Sequence, residues 1–512
     1  MSSAKRVISG SLASWMRIGI TMISQLILVP VYLTYWDVTT YGIWIAIQAL
    51  VSIISVMDQG HQTFLEFEFL KDGRDNRKSI AYNFWSSMWV GAVIGAAEVL
   101  LVLGFIFFGL IGKLLGAATA NPVLIHQAEI VLILQMIVWA VLVSPCGLFV
   151  RVLSPFGYYA RMSWWGVLAA VTTSFIPLIA VIFGADLLHA GIAFGAATIA
   201  YSIPQFIDIF RLIKKEGLKC RNSSLERGKR NFLLSLALSG KSLLENSRQQ
   251  GVRVILAPLS GATALVAFST IRTGANIVLQ GLNTITNPLM PELMRFLNEK
   301  DQQRMEASFS TVWIVVLLIL SPGVILLQVF AGPLFVIWTK GQIHFDPLLF
   351  LLLSMGVLVY AVAQPAMAVI RGNNILRPQL IIAAMAGTIV VGGMFVLVPV
   401  YGILGAGICL LIAEVAATAS YRVIAKKWLS KNGLQWPEKM SRAALLSVWG
   451  AGSVMLAMIY LDQYKWILLL TGFLILGIAF YFFRQTLPPL VLNKVRSVGM
   501  RLLFFKKSYQ KK

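Results

Sequence analysis

The chain has 512 residues, of which 58% are hydrophobic and only 12% are charged, and its mean hydropathy is +0.78. Soluble domains carry about 25% charged residues, so this composition excludes a soluble enzyme, a disordered protein and a disulfide-rich scaffold. The formal net charge is +22. The basic residues separate apolar segments instead of forming a basic patch with interleaved aromatics, so we expect no nucleic-acid partner. What remains is a polytopic membrane protein.

Apolar runs long enough to cross a bilayer recur along the whole chain. A hydrocarbon core of about 30 Å needs about 20 apolar residues in helical form, and lipid requires a helix to satisfy its own backbone hydrogen bonds. The sequence therefore predicts an all-α membrane protein with 14 transmembrane helices. Their predicted ranges are 9–34, 41–63, 82–112, 128–150, 162–184, 189–212, 232–258, 261–289, 309–337, 348–370, 378–400, 403–425, 442–461 and 466–484.

The distribution of basic residues is an independent test of this count. If the N-terminus is cytoplasmic, 35 of the 43 Lys and Arg lie in inner segments, 3 lie in outer segments and 5 lie within spans. This excess is the pattern of the positive-inside rule. It predicts that both termini are cytoplasmic. The first run is read as a helix that is retained, because it is too long for a signal peptide and carries Arg17.

The most basic loop, 211–230, separates the first twelve predicted helices into two sets of six. Many transporters consist of two such halves, with the substrate bound near the bilayer midplane between them. We therefore predict two six-helix lobes around a central cavity, followed by two extra helices. The predicted ranges are an N-terminal lobe at 1–213, a basic linker at 214–231, a C-terminal lobe at 232–427, the extra helices at 428–484 and a basic cytoplasmic tail at 485–512.

Polar side chains follow one face of several predicted spans. Steps of three or four residues place side chains on the same face of a helix, as in the eighth span. Ions within spans are costly and usually face protein or a watery cavity. The in-span cations are Arg17, Lys241, Arg248, Arg253 and Arg272, and the expected polar lining is Gln25, Gln48, Asn276, Gln280 and Asn283.

These residues predict a wet cavity with a cationic bias. Phosphate suits it, because Arg offers paired planar donors and Lys a point charge. The alternative is a set of internal ion pairs that hold the bundle together, such as Lys241 with Glu245. We predict no catalytic residue, no metal site and no cofactor. Asp58, Glu98, Glu245 and Glu414 are candidates for coupling to H+ or Na+, and His61 is interpreted as an interfacial residue.

The second predicted span carries short motifs that resemble a known family. Tyr41-Gly42 lies at its start, and Asp58 and Gly60 lie in an Asp-x-Gly sequence near its end. With the preceding segment 26–36, this resembles the opening of Wzx-type polysaccharide flippases, which belong to the multidrug/oligosaccharidyl-lipid/polysaccharide exporter superfamily. In that family an Asp-x-Gly turn closes the second helix. The helix count and the charged seventh span extend the resemblance over the chain.

The resemblance implies a function. Such proteins transfer undecaprenyl-diphosphate-linked oligosaccharides, such as O-antigen repeat units, from the cytoplasmic to the periplasmic leaflet of the bacterial inner membrane. It implies lobes of helices 1–6 and 7–12, alternating access, and contacts between the in-span cations and diphosphate or acidic sugars. The implied partners are the lipid-linked glycan, membrane lipids, and a polysaccharide polymerase with chain-length proteins.

The sequence is also compatible with other functions. A multidrug or cation antiporter of the same superfamily is the first alternative, although an acidic pocket would suit its cationic cargo better. A lipid II flippase is a further alternative, but the first span lacks the second nearby arginine typical of that subfamily. The outer loops are too short for a membrane enzyme, and their acids Asp37, Asp186, Asp346 and Asp462 have no carboxylate partner close in sequence.

Overall fold

The structure is a computed structural model that describes residues 3–116, 121–219, 223–373 and 375–491. Within these residues the regular structure is α-helical, with short 3₁₀ turns and two π-helical turns. The α-helices are α1 Ser3–Tyr35, α2 Val38–Ile54, α3 Val56–Asp72, α4 Arg77–Phe107, α5 Ile111–Leu114, α6 Pro122–Val138, α7 Ser144–Val152, α8 Tyr159–Ile182, α9 Leu187–Lys215, α10 Leu225–Gln249, α11 Gly251–Asn298, α12 Gln302–Val315, α13 Ser321–Thr339, α14 Pro347–Gly372, α15 Leu376–Tyr401, α16 Ile403–Lys431, α17 Glu438–Tyr460 and α18 Lys465–Gln485.

The described residues contain 12 helices long and apolar enough to span a membrane, or up to 13 if the bent pair α2 and α3 is one span. A polytopic all-α membrane fold is therefore confirmed. The count of 14 is not confirmed, because α10, which covers much of the predicted seventh span, is too polar to be among these helices. The predicted limits of the lobes stay a prediction.

The second predicted helix does not end at the Asp-x-Gly motif. The chain bends by 43° between α2 and α3 and then continues as helix to Asp72. Asp58 and Gly60 lie in the first two turns of α3. The expected turn at this motif was wrong, because the change of direction comes earlier, at Ser55.

The long helix α11 is interrupted at Gly261. Its backbone there has φ 84° and ψ 168°, a conformation that glycine adopts without a Cβ clash. The candidate span Gly251–Ile277 crosses this position, so it is not one straight helix. The break coincides with the boundary predicted between the seventh and eighth spans.

Several connections end in a side chain that caps the following helix. Asp37 accepts a hydrogen bond from the backbone N–H of Thr40 at 3.0 Å, and Asp186 accepts one from His189 at 2.9 Å. Asp346 accepts bonds from the first turn of α14. N-caps of this kind satisfy backbone donors that a helix start leaves unpaired. Three of the four lone outer-loop acids thus have a structural role.

One compact unit comprises Met1–Thr270, Phe335–His344 and Gly387–Ala406. A buried core joins α3, α4, α7 and α9 at one end of this unit, with Phe84 packed edge-on against Phe149. Helices also approach closely at glycines: a Cβ on Gly42 would stand 2.5 Å from the Ala262 carbonyl oxygen. This is the tight packing that small residues permit between membrane helices.

The second compact unit comprises Ile271–Leu334, Phe345–Ala386 and Gly407–Lys512. Trp313 is fully buried, packs edge-on against Trp436, and donates its indole hydrogen to the Val362 carbonyl at 3.1 Å. Between α16 and α17, Glu438 accepts hydrogen bonds of 2.6 Å from Arg422 and Lys426. Large aromatic burial and a cross-helix ion cluster therefore stabilise this unit.

Candidate functional site

A buried polar network joins α3 and α7 in the first unit. Asp58 is 1% exposed and accepts a 2.5 Å hydrogen bond from Gln62 Nε2, which also donates to the Ser144 carbonyl at 2.9 Å. The side-chain amide oxygen of Gln62, Oε1, accepts a short hydrogen bond from Arg151. Arg151 Nε lies 3.6 Å from a carboxylate oxygen of Glu66. The network therefore places a cation beside two acids within the helical bundle.

Glu98 on α4 lies beside this network. Its side chain is buried and interacts electrostatically with Asp58 and with the indole of Trp139. Neither carboxyl oxygen accepts a geometrically sound hydrogen bond within the part of the chain that the structure describes. An unpaired buried charge is strongly unfavourable, so this carboxyl is suited to holding a proton or a small cation.

A polar cavity of about 310 Å³ lies between helices of the same unit. Gln48 on α2 reaches across it and donates a 3.1 Å hydrogen bond to the Gln135 side chain on α6. Trp139 begins the π-helical turn Trp139–Val143, and such turns frequently mark functional sites in helices. The lining residues are Gln48, Val51, Ser52, Ser55, Gln59, Gln135, Val138, Trp139, Val143, Thr173, Phe194, Thr198 and Tyr201.

The chemistry of this cavity is neutral and hydrogen-bonding. Its described lining contains amides, hydroxyls, aromatic rings and three valines, and none of those residues is charged. Gln135 Nε2 is a buried donor without an acceptor among the described residues. Buried donors are nearly always paired in folded proteins. The cavity can therefore offer this donor to a ligand that carries hydroxyl or other oxygen acceptors.

The predicted cations of the first unit lie in different surroundings. Arg253 is half-buried, donates to Gln250 at 3.1 Å and interacts electrostatically with the buried Tyr41. Arg17 is exposed, and its Nη1 lies 3.7 Å from the position that a Cβ on Gly166 would occupy. Lys241 is half-buried and has an interaction partner. Arg272 belongs to the second unit, is half-buried and also has a partner.

The remaining predicted residues are partly described. Gln25, Gln280, Glu245 and Glu414 are half-buried, and each has an interaction partner. Asn276 is half-buried. The side chains of Arg248 and Asn283 lie outside the described residues. The structure brings Gln48, Asp58 and Glu98 into one region, whereas the shared cationic cavity stays a prediction.

Sequence reasoning missed the residues that complete this region. Gln135 and Trp139 are four residues apart on one face of the fourth predicted span, a spacing that could have indicated a seam. Arg151 directly follows the predicted span 128–150 and is one of the 35 basic residues that the sequence assigns to inner segments. His61 is buried within the protein, and its Nδ1 lies 3.0 Å from the Ser235 hydroxyl. Its position at the membrane interface stays a prediction.

No protein-family model and no curated protein matches the chain. Among solved structures, the inward closed conformation of the lipid II flippase MurJ aligns with a TM-score of 0.65 and 12% identity, covering 93% of this chain and 99% of that one. The inward-facing conformation of a multidrug resistance MATE family transporter aligns with a TM-score of 0.59 and 13% identity, covering 85% and 99%.

A third similar structure is a MOP superfamily transporter from Pyrococcus furiosus whose binding pocket is described as having reverse polarity. Its TM-score is 0.56 at 14% identity, and the alignment covers 84% of this chain and 96% of that one.

The chain has the fold of the MOP-superfamily transporters. All three similar structures are transporters or flippases. At this identity the likeness concerns the fold alone.

Proposed function

We propose that the protein is a flippase that moves undecaprenyl-diphosphate-linked oligosaccharide repeat units from the cytoplasmic to the periplasmic leaflet of the bacterial inner membrane. The observation that carries this proposal is the neutral, hydrogen-bonding lining of the cavity of about 310 Å³. Sugar hydroxyls both donate and accept hydrogen bonds, as do the amides of Gln48 and Gln135. The rings of Trp139 and Tyr201 offer flat apolar faces.

The substrate's physical chemistry requires such a path. A lipid-linked sugar cannot cross the bilayer unaided, because its hydroxyls and diphosphate would lose their hydration in the hydrocarbon core. A polar cavity replaces part of that hydration while the prenyl tail stays in lipid. Alternating access would then open the path to one leaflet at a time.

The in-span cations complete the proposed substrate site. Lys241 and Arg253 would bind the diphosphate, because charge-assisted hydrogen bonds to phosphate are strong and Arg can make two at once. We expect Lys241→Ala to reduce flipping far more than protein abundance, and Lys241→Arg to preserve flipping in part. An equal loss of folded protein in Lys241→Ala would indicate a structural ion pair instead.

We further propose that transport is coupled to H+ or Na+ through Glu98. Of the four candidate acids, Asp58 is already bonded to Gln62, and Glu245 and Glu414 have partners. Glu98 is buried beside Asp58 and interacts with the Trp139 indole, but neither of its oxygens accepts a hydrogen bond of good geometry among the described residues. A carboxyl in that setting gains most from binding a proton or a cation.

Deletion of the gene tests the function directly. We expect lipid-linked repeat units to accumulate on the cytoplasmic side of the membrane, as measured by glycan labelling in sealed vesicles of each orientation, and surface polysaccharide to decrease. Accumulation of lipid II instead would favour the lipid II flippase. Unchanged polysaccharide together with sensitivity to lipophilic cations would favour the multidrug antiporter.

A pair of variants on one helix tests the cavity. Gln135→Leu removes the amide that pairs with Gln48, so we expect it to impair complementation of the deletion at normal abundance. Gln127→Leu is the matched control, because Gln127 lies on the same helix but bonds to Asp186 outside the cavity. If both variants complement equally well, the cavity does not bind the glycan.

A further inference from the structure

A second depression lies on the outer surface of the first unit, between α8 and α9. Its volume is about 500 Å³. Its lining includes Arg161, Trp164, Leu168, Ile207 and Arg211, none of which lines the cavity described above. We call this depression the α8–α9 groove. It is therefore a separate feature from the proposed glycan site.

The α8–α9 groove contains one paired acid and two arginines, of which one is paired with that acid. Asp208 accepts hydrogen bonds from Nε and Nη2 of Arg161, the first at 2.8 Å, and from the Trp165 indole at 2.9 Å. Arg161 thus neutralises Asp208, while its Nη1 donors have no hydrogen-bond acceptor within the described part of the chain. Arg211 is exposed and has no hydrogen-bond or ion-pair partner among the residues that the structure describes. The groove therefore carries one uncompensated positive charge.

The charged, aromatic and aliphatic side chains of the groove lie at successive levels along the helix axes. Arg161 lies in the first turn of α8 and Arg211 near the last turn of α9, at the end that the basic residues predict to be cytoplasmic. Leu168 lies about 10 Å deeper along α8, at a rise of about 1.5 Å per residue. Leu168 is 41% exposed and Ile207 is 49% exposed. Trp164 lies between the two levels, and its indole donates to Ser9 at 3.2 Å.

From the end of the helices inward, the groove presents guanidinium groups, then an indole, then aliphatic side chains. A membrane lipid has its phosphate headgroup and its acyl chains in the same order of depth. Tryptophan favours the headgroup level, and basic side chains near a helix end attract anionic headgroups of the inner leaflet. Guanidinium groups bind phosphate through paired hydrogen bonds. Aliphatic surface below them accommodates an acyl chain.

We propose that the α8–α9 groove binds one anionic phospholipid of the cytoplasmic leaflet. Its phosphate contacts Arg211 and the free Nη1 of Arg161, and an acyl chain lies along Leu168 and Ile207. The net positive charge of the groove selects an anionic lipid over a zwitterionic one.

Native mass spectrometry of the full-length protein in detergent tests the proposal. The delipidated protein is titrated separately with phosphatidylglycerol and phosphatidylcholine. We expect one phosphatidylglycerol to bind at least tenfold more tightly than phosphatidylcholine. Arg211→Gln should weaken that binding about tenfold, the effect of one lost charged hydrogen bond. Arg211 is exposed, so this variant keeps the buried contacts of α9.

Lys215→Gln is the matched control, because it removes one charge from the end of the same helix but does not line the groove. Equal weakening in the two variants would mean attraction to general surface charge and would overturn the proposal. Equal affinity for the two lipids would overturn it as well.

Two competitors distinguish the source of the phosphate. Displacement of phosphatidylglycerol by millimolar inorganic phosphate would indicate a site for the free ion. Tighter binding of undecaprenyl diphosphate, lost in Arg211→Gln, would make the groove a substrate site. Either result would overturn the phospholipid assignment. The deletion test of flipping is independent of all these outcomes.

Discussion

Gly60 and Ser239 lie so close together that a Cβ added to Gly60 would stand 2.4 Å from the Ser239 Cα. These residues belong to α3 and α10, which pack along each other within the first unit. The Ser239 hydroxyl also donates to the Met57 carbonyl at 3.3 Å. The glycine of the Asp-x-Gly motif is therefore a position of close helix contact and not a turn.

Gly60→Ala should destabilise the protein, because the added methyl group meets backbone and not a flexible side-chain end. Overpacking typically costs about 1–3 kcal/mol. Thermal unfolding in detergent, followed by the loss of monodisperse protein, measures the effect. Gly91→Ala on α4 is the control, because nothing lies within 4 Å of its Cβ position. Equal stability of the two variants would contradict the close contact.

Removal of the Arg151 guanidinium should destabilise the network of α3 and α7. In Arg151→Met the Gln62 amide oxygen loses its cationic donor, at a cost of about 1.5–3 kcal/mol for a charged hydrogen bond, and the Glu66 carboxylate loses its nearby cation. Denaturant titration in mixed micelles gives the change in the free energy of unfolding. Arg74→Met, at an exposed loop arginine, should change that free energy by less than about 0.5 kcal/mol. Similar losses in both variants would refute a structural role for Arg151.

Glu98→Gln should abolish the coupling of flipping to an ion gradient without preventing folding. The amide imitates the protonated carboxyl, so we expect a folded protein whose flipping no longer responds to an imposed proton or sodium gradient. Flipping in vesicles under each gradient in turn measures this and identifies the ion. Glu129→Gln, on α6 beside His126, is the control. A variant of Glu98 that responds to both gradients as the wild type does would exclude this residue as the coupling group.

Asp37 should make stability depend on pH in the acidic range. Burial tends to raise the pKa of its carboxyl, but hydrogen bonds from the side chain and backbone of Thr40 outweigh burial and hold that pKa below its ordinary value of 3.8. A carboxyl with a depressed pKa contributes stability above its ordinary pKa, and that contribution is lost as the pH falls through the lowered value.

Asp37→Asn is the comparison for this effect, because Asn caps helices as well as Asp does but does not titrate. We expect the wild type to lose stability relative to Asp37→Asn as the pH falls below about 4, with thermal unfolding measured at each pH. Asp37→Ala should lose about 1 kcal/mol at neutral pH. Parallel pH profiles for the wild type and Asp37→Asn would contradict the lowered pKa.

The sequence by itself determined that the chain is a polytopic helical membrane protein. That conclusion needs only the lengths of apolar runs and the requirement for internal backbone hydrogen bonds in lipid. It also identified Gln48, Asp58 and Glu98 as polar groups at spanning depth, since these residues are costly in an apolar run wherever the helices pack.

Only the tertiary structure decided which polar groups meet. The hydrogen-bonded amides of Gln48 and Gln135 are 87 residues apart in the chain and 3.1 Å apart in space. Arg151, which the sequence identifies only as a basic residue after the fourth predicted span, donates a hydrogen bond to Gln62. Hydropathy is a property of single segments, whereas hydrogen bonds between helices depend on how each helix is rotated and where it bends. The bend at Ser55, the break at Gly261 and the π-helical turn at Trp139 set those rotations, and no periodicity of apolar residues encodes them.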